Sequence, residues 1–143
     1  MEALFQNELH TTKGPTADAL AQKEIIGLYF SAHWCPPCRE FTPLFAQMYA
    51  DIKEAGHEDL EIVYISSDHD ANEFSEYFGE MPWLALPYAK RELKSVIDKY
   101  FGVRGVPMLI FVNDHGEVIE EEGRELIENN ATDIDAILES LRK

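Results

Sequence analysis

Cysteine, basic residues and long apolar runs are all scarce in this sequence. The 143 residues include two cysteines, and 12 lysines and arginines stand against 27 aspartates and glutamates, which gives a net charge of −15. A chain this acidic repels nucleic acid and anionic lipid, so we expect neither as a partner. Two cysteines are also too few for the disulfide framework of a small secreted scaffold. The shortages therefore exclude a basic nucleic-acid groove and a disulfide-stabilised secreted domain.

The apolar segments are short as well. The longest, Ile25–Phe30 and Met108–Val112, are far below the ~18 residues that a membrane span needs, and no basic-then-apolar leader comes before them. No repeat, linker or low-complexity tract divides the chain. We therefore expect a single domain over residues 1–143, monomeric and without a membrane contact. We expect it in the cytoplasm and, as a second location, the nucleus.

The sequence does contain a regular alternation of strand-like and helix-like segments. Apolar runs and one turn signal predict strands at Ile25–Phe30, Leu60–Ser66, Met108–Val112 and Glu117–Glu121. Apolar residues at i, i+3, i+4 spacing predict helices over Phe41–Ile52, Leu93–Tyr100 and Ile134–Leu141, the last capped by Thr132, with a shorter helix over Asn72–Phe78. This order predicts an α/β fold with parallel pairing first and an antiparallel edge after it.

Both cysteines belong to the segment Cys35-Pro36-Pro37-Cys38, between the first strand and the first amphipathic helix. A bond closing so small a loop would add only about 2 kcal/mol through chain entropy, so stability hardly explains the pair. Cys35 is expected at the helix N-terminus, where free N–H groups and the helix dipole favour a thiolate. Cys38, one turn later and facing the core, is within reach of its sulfur. The pair predicts dithiol–disulfide exchange in which Cys35 attacks and Cys38 resolves.

Zinc binding is the main alternative use of two cysteines. Zinc takes four ligands, so the pair would have to recruit two histidines, and no histidine lies at finger-like spacing from it. The candidates are His10, His33, His57, His69 and His115. We therefore expect no metal and no other bound cofactor.

Three segments carry a resemblance to a known family. Gly27–Arg39, which contains the cysteine pair, resembles the active-site segment of the tryparedoxin and nucleoredoxin branch of the thioredoxin superfamily. Glu80–Tyr88 resembles the characteristic insertion of that branch, and Tyr100–Pro107 resembles its approach to a cis-proline. The resemblance implies a thioredoxin fold, with a central mixed β-sheet flanked by helices on both faces. It also implies that Pro107 is cis and faces the two sulfurs.

The resemblance further implies partners and a docking surface. It implies disulfide-containing protein substrates, with a low-molecular-weight thiol (glutathione or trypanothione) or an NADPH-dependent reductase as the electron donor. Trp34, Arg39, Val106 and Pro107 are expected to bind substrate around Cys35. The rival from another class is a redox-sensitive, non-catalytic adaptor of the nucleoredoxin type. Retention of both cysteines favours the enzyme.

Two positions have open interpretations. Bacterial-type thioredoxins carry a buried aspartate beneath the cysteines, and Tyr29 stands in its place here, so the proton acceptor for Cys38 is either the Tyr29 hydroxyl through water or His33. Trp83, with Pro82, is either a rim beside the site or a packing anchor in the core.

Overall fold

The computed structural model describes residues 10–11, 14–15, 20, 23–130 and 133–142. Its strands are β1 His10–Thr11, β2 Gly14–Pro15, β3 Ile25–Ser31, β4 Leu60–Ser66, β5 Leu84–Ala85, β6 Met108–Val112 and β7 Val118–Glu120. Its helices are α1 Pro36–Glu54, α2 Ala71–Phe78, α3 Arg91–Phe101, α4 Gly123–Asn129 and α5 Ile134–Leu141.

The strands of the described residues form one mixed sheet in the order β2-β1-β5-β4-β3-β6-β7. Strand β3 pairs parallel to β4 along its whole length, from Ile25 opposite Leu60 to Ser31 opposite Ser66, and antiparallel to β6 on its other side. Every residue of β3 and β4 is buried. The two strands therefore end side by side, and the chain enters α1 directly from that edge.

Alternate residues of each strand point to opposite faces of the sheet, and helices cover both faces. One face packs Tyr29, Tyr64 and Phe111 against α1, α2, α4 and α5. The other face packs Leu28 and Ile110 against α3. The predicted thioredoxin fold, with its parallel pair and antiparallel edge, is confirmed. Within the described residues no helix has the length and apolarity to cross a membrane.

The structure adds elements that the apolar pattern does not reveal. Strands β1, β2 and β5 have two residues each, which is too short for an alternation to show. Helix α4 begins at Gly123, where an added Cβ would lie 2.7 Å from the carbonyl oxygen of Leu109. The close approach of α4 to β6 therefore requires glycine at this position. A glycine gives no helix signal, so the sequence does not show where α4 begins. Thr132, the predicted cap of α5, lies outside the described residues, and the Asp133 side chain accepts a hydrogen bond from the Ala136 N–H.

Candidate active site

Cys35 caps the N-terminus of α1, as the sequence predicts. Its backbone is extended, and Pro36 and Pro37 form the first two helical positions, where a missing N–H leaves no hydrogen bond unmade. The Cys38 backbone N–H donates to Cys35 Sγ at 3.4 Å. The sulfur of Cys35 therefore lies at the positive, N-terminal end of the α1 dipole, where the Cys38 N–H donates to it.

The two sulfurs are both buried and share their apolar neighbours. Cys35 is 4% exposed and Cys38 is fully buried, and both are free cysteines packed against Ala32 and Val106. The Cys35 thiol points at the Val106 carbonyl oxygen, 3.8 Å away. The Val106–Pro107 peptide bond is cis, as the resemblance implies. Of the expected neighbours, Val106 thus adjoins Cys35, the outer sulfur, and Pro107 follows it through the cis bond.

Trp34 lies on the surface beside Cys35. Its side chain is 44% exposed, its indole N–H donates to the Ser67 carbonyl oxygen at 2.8 Å, and its ring stacks on His69 at 5.3 Å. Both partners belong to the loop that follows β4. The ring is therefore held flat against the protein while one side remains open, which agrees with the expected position for substrate binding.

Arg39 is exposed one turn after Cys35 and faces a different place from Trp34. It lines a surface cavity of about 440 Å³. The cavity is lined by His33, Arg39, Thr42, Pro43, Tyr77 and Glu80. Arg39 thus shares a cavity with Thr42 and Tyr77, and neither cysteine is among the lining residues.

A chain of buried hydroxyls lies beneath Cys38, and we call it the hydroxyl cluster: Tyr29, Ser31, Thr42 and Tyr77. Ser31 Oγ lies 3.0 Å from the Tyr77 hydroxyl, which lies 2.5 Å from Thr42 Oγ1. Thr42 Oγ1 in turn lies 2.6 Å from the Tyr29 hydroxyl and donates to the Cys38 carbonyl oxygen at 2.9 Å. Strand β3, α1 and α2 together therefore build a continuous polar path through an aromatic core.

A second buried group lies at the end of the neighbouring strand, and we call it the carboxylate cluster: Tyr64, Ser66 and Asp68. The Tyr64 and Ser66 hydroxyls each donate to Asp68 Oδ2 at 2.6 Å. The other carboxylate oxygen accepts the His33 backbone N–H at 2.7 Å. The carboxylate cluster therefore fixes the backbone just before Trp34 and Cys35.

Burial dominates the titration of these groups. Burial and the adjacent Cys35 together raise the pKa of the Cys38 thiol to about 12, against an opposing contribution from the Ser31 hydroxyl. Burial also raises the pKa values of Tyr29, Tyr64 and Tyr77 well above the usual value for tyrosine. The inner sulfur is thus a neutral thiol near pH 7, and Ser31 is the side chain that favours its thiolate.

The structure decides one of the two open interpretations. Trp83 is 2% exposed and packs its ring against Phe45 at 4.8 Å, so the rim interpretation of Trp83 is wrong and the packing anchor is right. The Tyr29 hydroxyl bonds to Thr42 and lies 3.5 Å from the Cys38 carbonyl oxygen, whereas the His33 ring stacks on Tyr77. The proton acceptor for Cys38 stays a prediction.

The arrangement of a central β3, a cysteine pair opening α1 and a cis Val106–Pro107 bond whose Val106 contacts the outer sulfur is that of a thioredoxin-fold protein. A family model described as thioredoxin-like matches residues 23–118. The chain belongs to this thioredoxin-like family of oxidoreductases, in the branch that holds nucleoredoxins and tryparedoxins.

Individual relatives agree with that assignment. The chain is 48% identical to nucleoredoxin from Mus musculus over 99 residues, 69% of this chain and 22% of that protein. It is 47% identical to tryparedoxin from Trypanosoma brucei brucei over 100 residues, 69% of this chain and 68% of that protein. A tryparedoxin II solved in complex with glutathionylspermidine superimposes with a TM-score of 0.81 at 33% identity, covering 92% of this chain and 94% of that one. The chain thus spans about a fifth of nucleoredoxin (22%) and about two thirds of tryparedoxin (68%).

Proposed function

We propose that this chain is a thiol–disulfide oxidoreductase that reduces protein disulfides through Cys35 and Cys38. The observation that carries the proposal is the position of Cys35 Sγ, which caps α1, accepts the Cys38 N–H at 3.4 Å and contacts the Val106 carbonyl. A sulfur at a helix N-terminus is stabilised as a nucleophilic thiolate, and a second thiol one turn away can reach it.

The reaction follows from the two positions. The Cys35 thiolate attacks a substrate disulfide, forms a mixed disulfide and releases one substrate thiol. Cys38 then loses its proton and attacks Cys35 Sγ, which forms the Cys35–Cys38 disulfide and releases the second substrate thiol. The protein gives up two electrons and the substrate disulfide gains them, so an external reductant must restore the dithiol.

The surface around Cys35 supports an extended protein substrate. Trp34 offers an exposed aromatic face, and Val106, which precedes Pro107, adjoins the attacking sulfur. Arg39 contributes a positive charge at the cavity that His33 and Thr42 also line. We propose these four residues as the substrate-binding surface.

The electron donor is proposed to be a low-molecular-weight thiol of the glutathione or trypanothione class, or an NADPH-dependent reductase. The complex of tryparedoxin II with glutathionylspermidine supports a small thiol. Incubating the oxidised protein with each reductant in turn and counting free thiols identifies the donor. The proposed location remains the cytoplasm, with the nucleus as a second one.

Insulin reduction driven by dithiothreitol tests the proposal. We expect the protein to accelerate insulin precipitation, and Cys35→Ser to return the rate to background. The alternative, a redox-sensitive adaptor of the nucleoredoxin type, is supported by the nucleoredoxin similarity and the low exposure of both sulfurs. An unaccelerated reaction with correctly folded protein would contradict the enzyme and favour the adaptor.

A further inference from the structure

Arg91, the first residue of α3, connects two other backbone segments through its guanidinium. Nη1 donates to the Ser66 carbonyl oxygen at 2.8 Å, and Nε donates to the Tyr88 carbonyl oxygen at 2.5 Å. The guanidinium also lies over the Tyr88 ring, 3.9 Å from its centroid. The side chain is partly buried, and the proposed exchange reaction does not use it. Arg91 therefore ties the end of β4 to the turn before α3.

Tyr88 makes a second connection from the same turn. Its hydroxyl donates to the Asp68 carbonyl oxygen at 3.2 Å, and its ring packs against Phe74 of α2 with the ring centroids 6.0 Å apart. The Arg91 guanidinium over the ring further limits the positions that the hydroxyl can take. Arg91 and Tyr88 thus bind the backbone at residues 66 and 68, on either side of Ser67.

Residues 67–69 follow β4, and we call them the docking loop because they hold the Trp34 ring. The Trp34 indole N–H donates to the Ser67 carbonyl oxygen at 2.8 Å. The ring stacks on His69 with the centroids 5.3 Å apart and an angle of 3° between the planes. Both contacts come from the docking loop, so the position of the ring beside Cys35 follows the position of that loop.

The carbonyl oxygens of three successive residues accept hydrogen bonds from three different side chains. Those of residues 66, 67 and 68 accept from Arg91, Trp34 and Tyr88, in that order. Each peptide unit is planar, so the direction of the middle carbonyl depends on how the units beside it are held. Arg91 and Tyr88 hold those two units. The hydrogen bond that orients the Trp34 ring therefore depends on both side chains.

The N–H groups of this region have separate partners on β3. The Ser67 N–H donates to the Ser31 carbonyl oxygen at 2.9 Å, and the Asp68 carboxylate accepts the His33 N–H at 2.7 Å. These bonds attach the docking loop to β3 without using the carbonyl oxygens of residues 66 to 68. Loss of Arg91 should therefore change the direction of the Ser67 carbonyl while the loop stays attached.

The shape of the arginine side chain matters as much as its charge. A charged donor makes a stronger hydrogen bond to a carbonyl than a neutral one does. The planar guanidinium also directs its donors in fixed directions, so Arg91 reaches both carbonyl oxygens while its plane lies over Tyr88. A lysine keeps the charge, but its single ammonium on a flexible stem does not reproduce this arrangement.

We propose that Arg91 is a positioning residue for substrate docking. With Tyr88 it fixes the docking loop so that the Trp34 ring lies flat beside Cys35. The proposal rests on the proposed reduction of protein disulfides, and it adds a residue that acts only through Trp34. It also gives the segment Glu80–Tyr88 a part in docking, because Tyr88 is its last residue.

Steady-state reduction of insulin tests the effect on docking. Arg91→Lys should raise the KM for insulin several-fold and leave kcat within about twofold of wild type, since one or two hydrogen bonds that orient the ring are lost while the sulfurs keep their surroundings. The rate with 2-hydroxyethyl disulfide should not change, because so small a substrate does not need the aromatic face. In a Trp34→Ala background, Arg91→Lys should raise the KM no further, because the ring through which it acts is gone.

Acrylamide quenching of tryptophan fluorescence reports the position of the ring independently of activity. Of the two tryptophans, Trp34 is 44% exposed and Trp83 is 2% exposed, so the quenchable emission comes from Trp34. Arg91→Lys should increase the quenching constant, because a ring released from His69 exposes its second face. Tyr88→Phe, which removes only the hydroxyl contact, should change the KM and the quenching in the same direction by less, and it provides the test if Arg91→Lys does not fold.

Arg142→Lys is the matched control. It alters an arginine that binds Asp59 through two contacts of 2.7 Å, at the opposite end of β4 from Ser66. It should leave the KM and the quenching constant at the wild-type values. Wild-type KM and quenching in both the Arg91 and Tyr88 variants, or a rise in KM that persists in the Trp34→Ala background, would overturn the positioning role and leave the reductase standing. A wild-type protein that does not reduce insulin would instead overturn the proposed function.

Discussion

The hydroxyl cluster and the carboxylate cluster are built from similar residues at neighbouring strand ends. Each has a buried serine as the last residue of a strand, Ser31 on β3 and Ser66 on β4, and the two are register partners. Ser31 bonds to the Tyr77 hydroxyl, and Ser66 bonds to the Asp68 carboxylate, which also accepts from Tyr64. The Tyr64 and Tyr77 rings meet edge to face at 5.6 Å. In the carboxylate cluster the acceptor of Ser66 is Asp68, whereas in the hydroxyl cluster the partner of Ser31 is itself a hydroxyl.

This difference decides whether the direction of the hydrogen bonds in each cluster is fixed. A carboxylate only accepts, so Tyr64 and Ser66 have one possible direction of donation and the loop before Trp34 is fixed. Hydroxyls accept and donate, so the contacts Ser31–Tyr77 and Tyr77–Thr42 can each be donated from either side. The site therefore combines a support of fixed direction on β4 with a hydroxyl chain on β3 whose direction is not fixed.

The largest effect on turnover should come from removing either of the two sulfurs. Cys35→Ser should abolish turnover, because no other described side chain occupies the helix N-terminus. Cys38→Ser should leave a nucleophile that captures substrate as a lasting mixed disulfide, since only resolution is lost. Mass spectrometry of the adduct checks the assignment, and a substrate attached to Cys38 in the Cys35→Ser protein at the wild-type rate would contradict it.

High pH should affect the two clusters alike. Burial raises the folded-state pKa of Tyr29, Tyr64 and Tyr77, so their contribution to stability is complete below the unfolded value of ~10 and is lost as pH rises above it. Tyr29 and Tyr64 should each reduce the free energy of unfolding by about 1.4 kcal/mol per pH unit above ~10, and Tyr77 should act in the same direction. Urea unfolding at pH 9, 10 and 11 measures the slope.

Single substitutions then divide that slope between the clusters. Tyr64→Phe should reduce it by one tyrosine's share, and Tyr77→Phe should reduce it in the same direction. An unchanged slope in either variant would show that its tyrosine ionises in the folded protein as readily as in the unfolded chain.

Much of this site follows from the sequence, and the part that does not has a physical cause. The strand runs, the Cys-Pro-Pro-Cys junction and the approach to Pro107 each lie within one continuous segment, so local pattern reveals them. The hydroxyl cluster joins residues 29, 31, 42 and 77 from three elements, and only the packing of α1 and α2 on β3 brings them together. Trp83 could not be assigned from the sequence either, because the residues next to it do not show whether its side chain is buried.

Removing the carboxylate should cost stability at the rigid cluster. Asp68→Ala leaves the Tyr64 and Ser66 hydroxyls and the His33 N–H without their acceptor, which should lower the free energy of unfolding by about 2 to 4 kcal/mol. Denaturant unfolding at pH 7 measures the loss. Thr42→Val, which removes one hydroxyl from the other cluster, should lose less, and equal losses would contradict the difference drawn between the clusters.

The smallest change in stability should come from the exposed ring that the carboxylate cluster supports. Trp34→Ala removes one hydrogen bond and one stacked contact at the surface, so the free energy of unfolding should fall by only about 1 kcal/mol. The KM for a protein disulfide should rise several-fold, because the flat face beside Cys35 is lost. Tyr100→Ala, which removes an exposed aromatic ring on α3, is the matched control, and an equal rise in KM there would contradict a docking role for Trp34.

The most direct measurement is the rate of alkylation of each thiol in the reduced protein at pH 7, followed separately for Cys35 and Cys38 by mass spectrometry. Cys35 Sγ lies at the N-terminus of α1, whereas burial and the adjacent Cys35 raise the pKa of the Cys38 thiol to about 12. The account predicts that iodoacetamide modifies Cys35 first and Cys38 far more slowly. Faster modification of Cys38 would contradict the assigned roles.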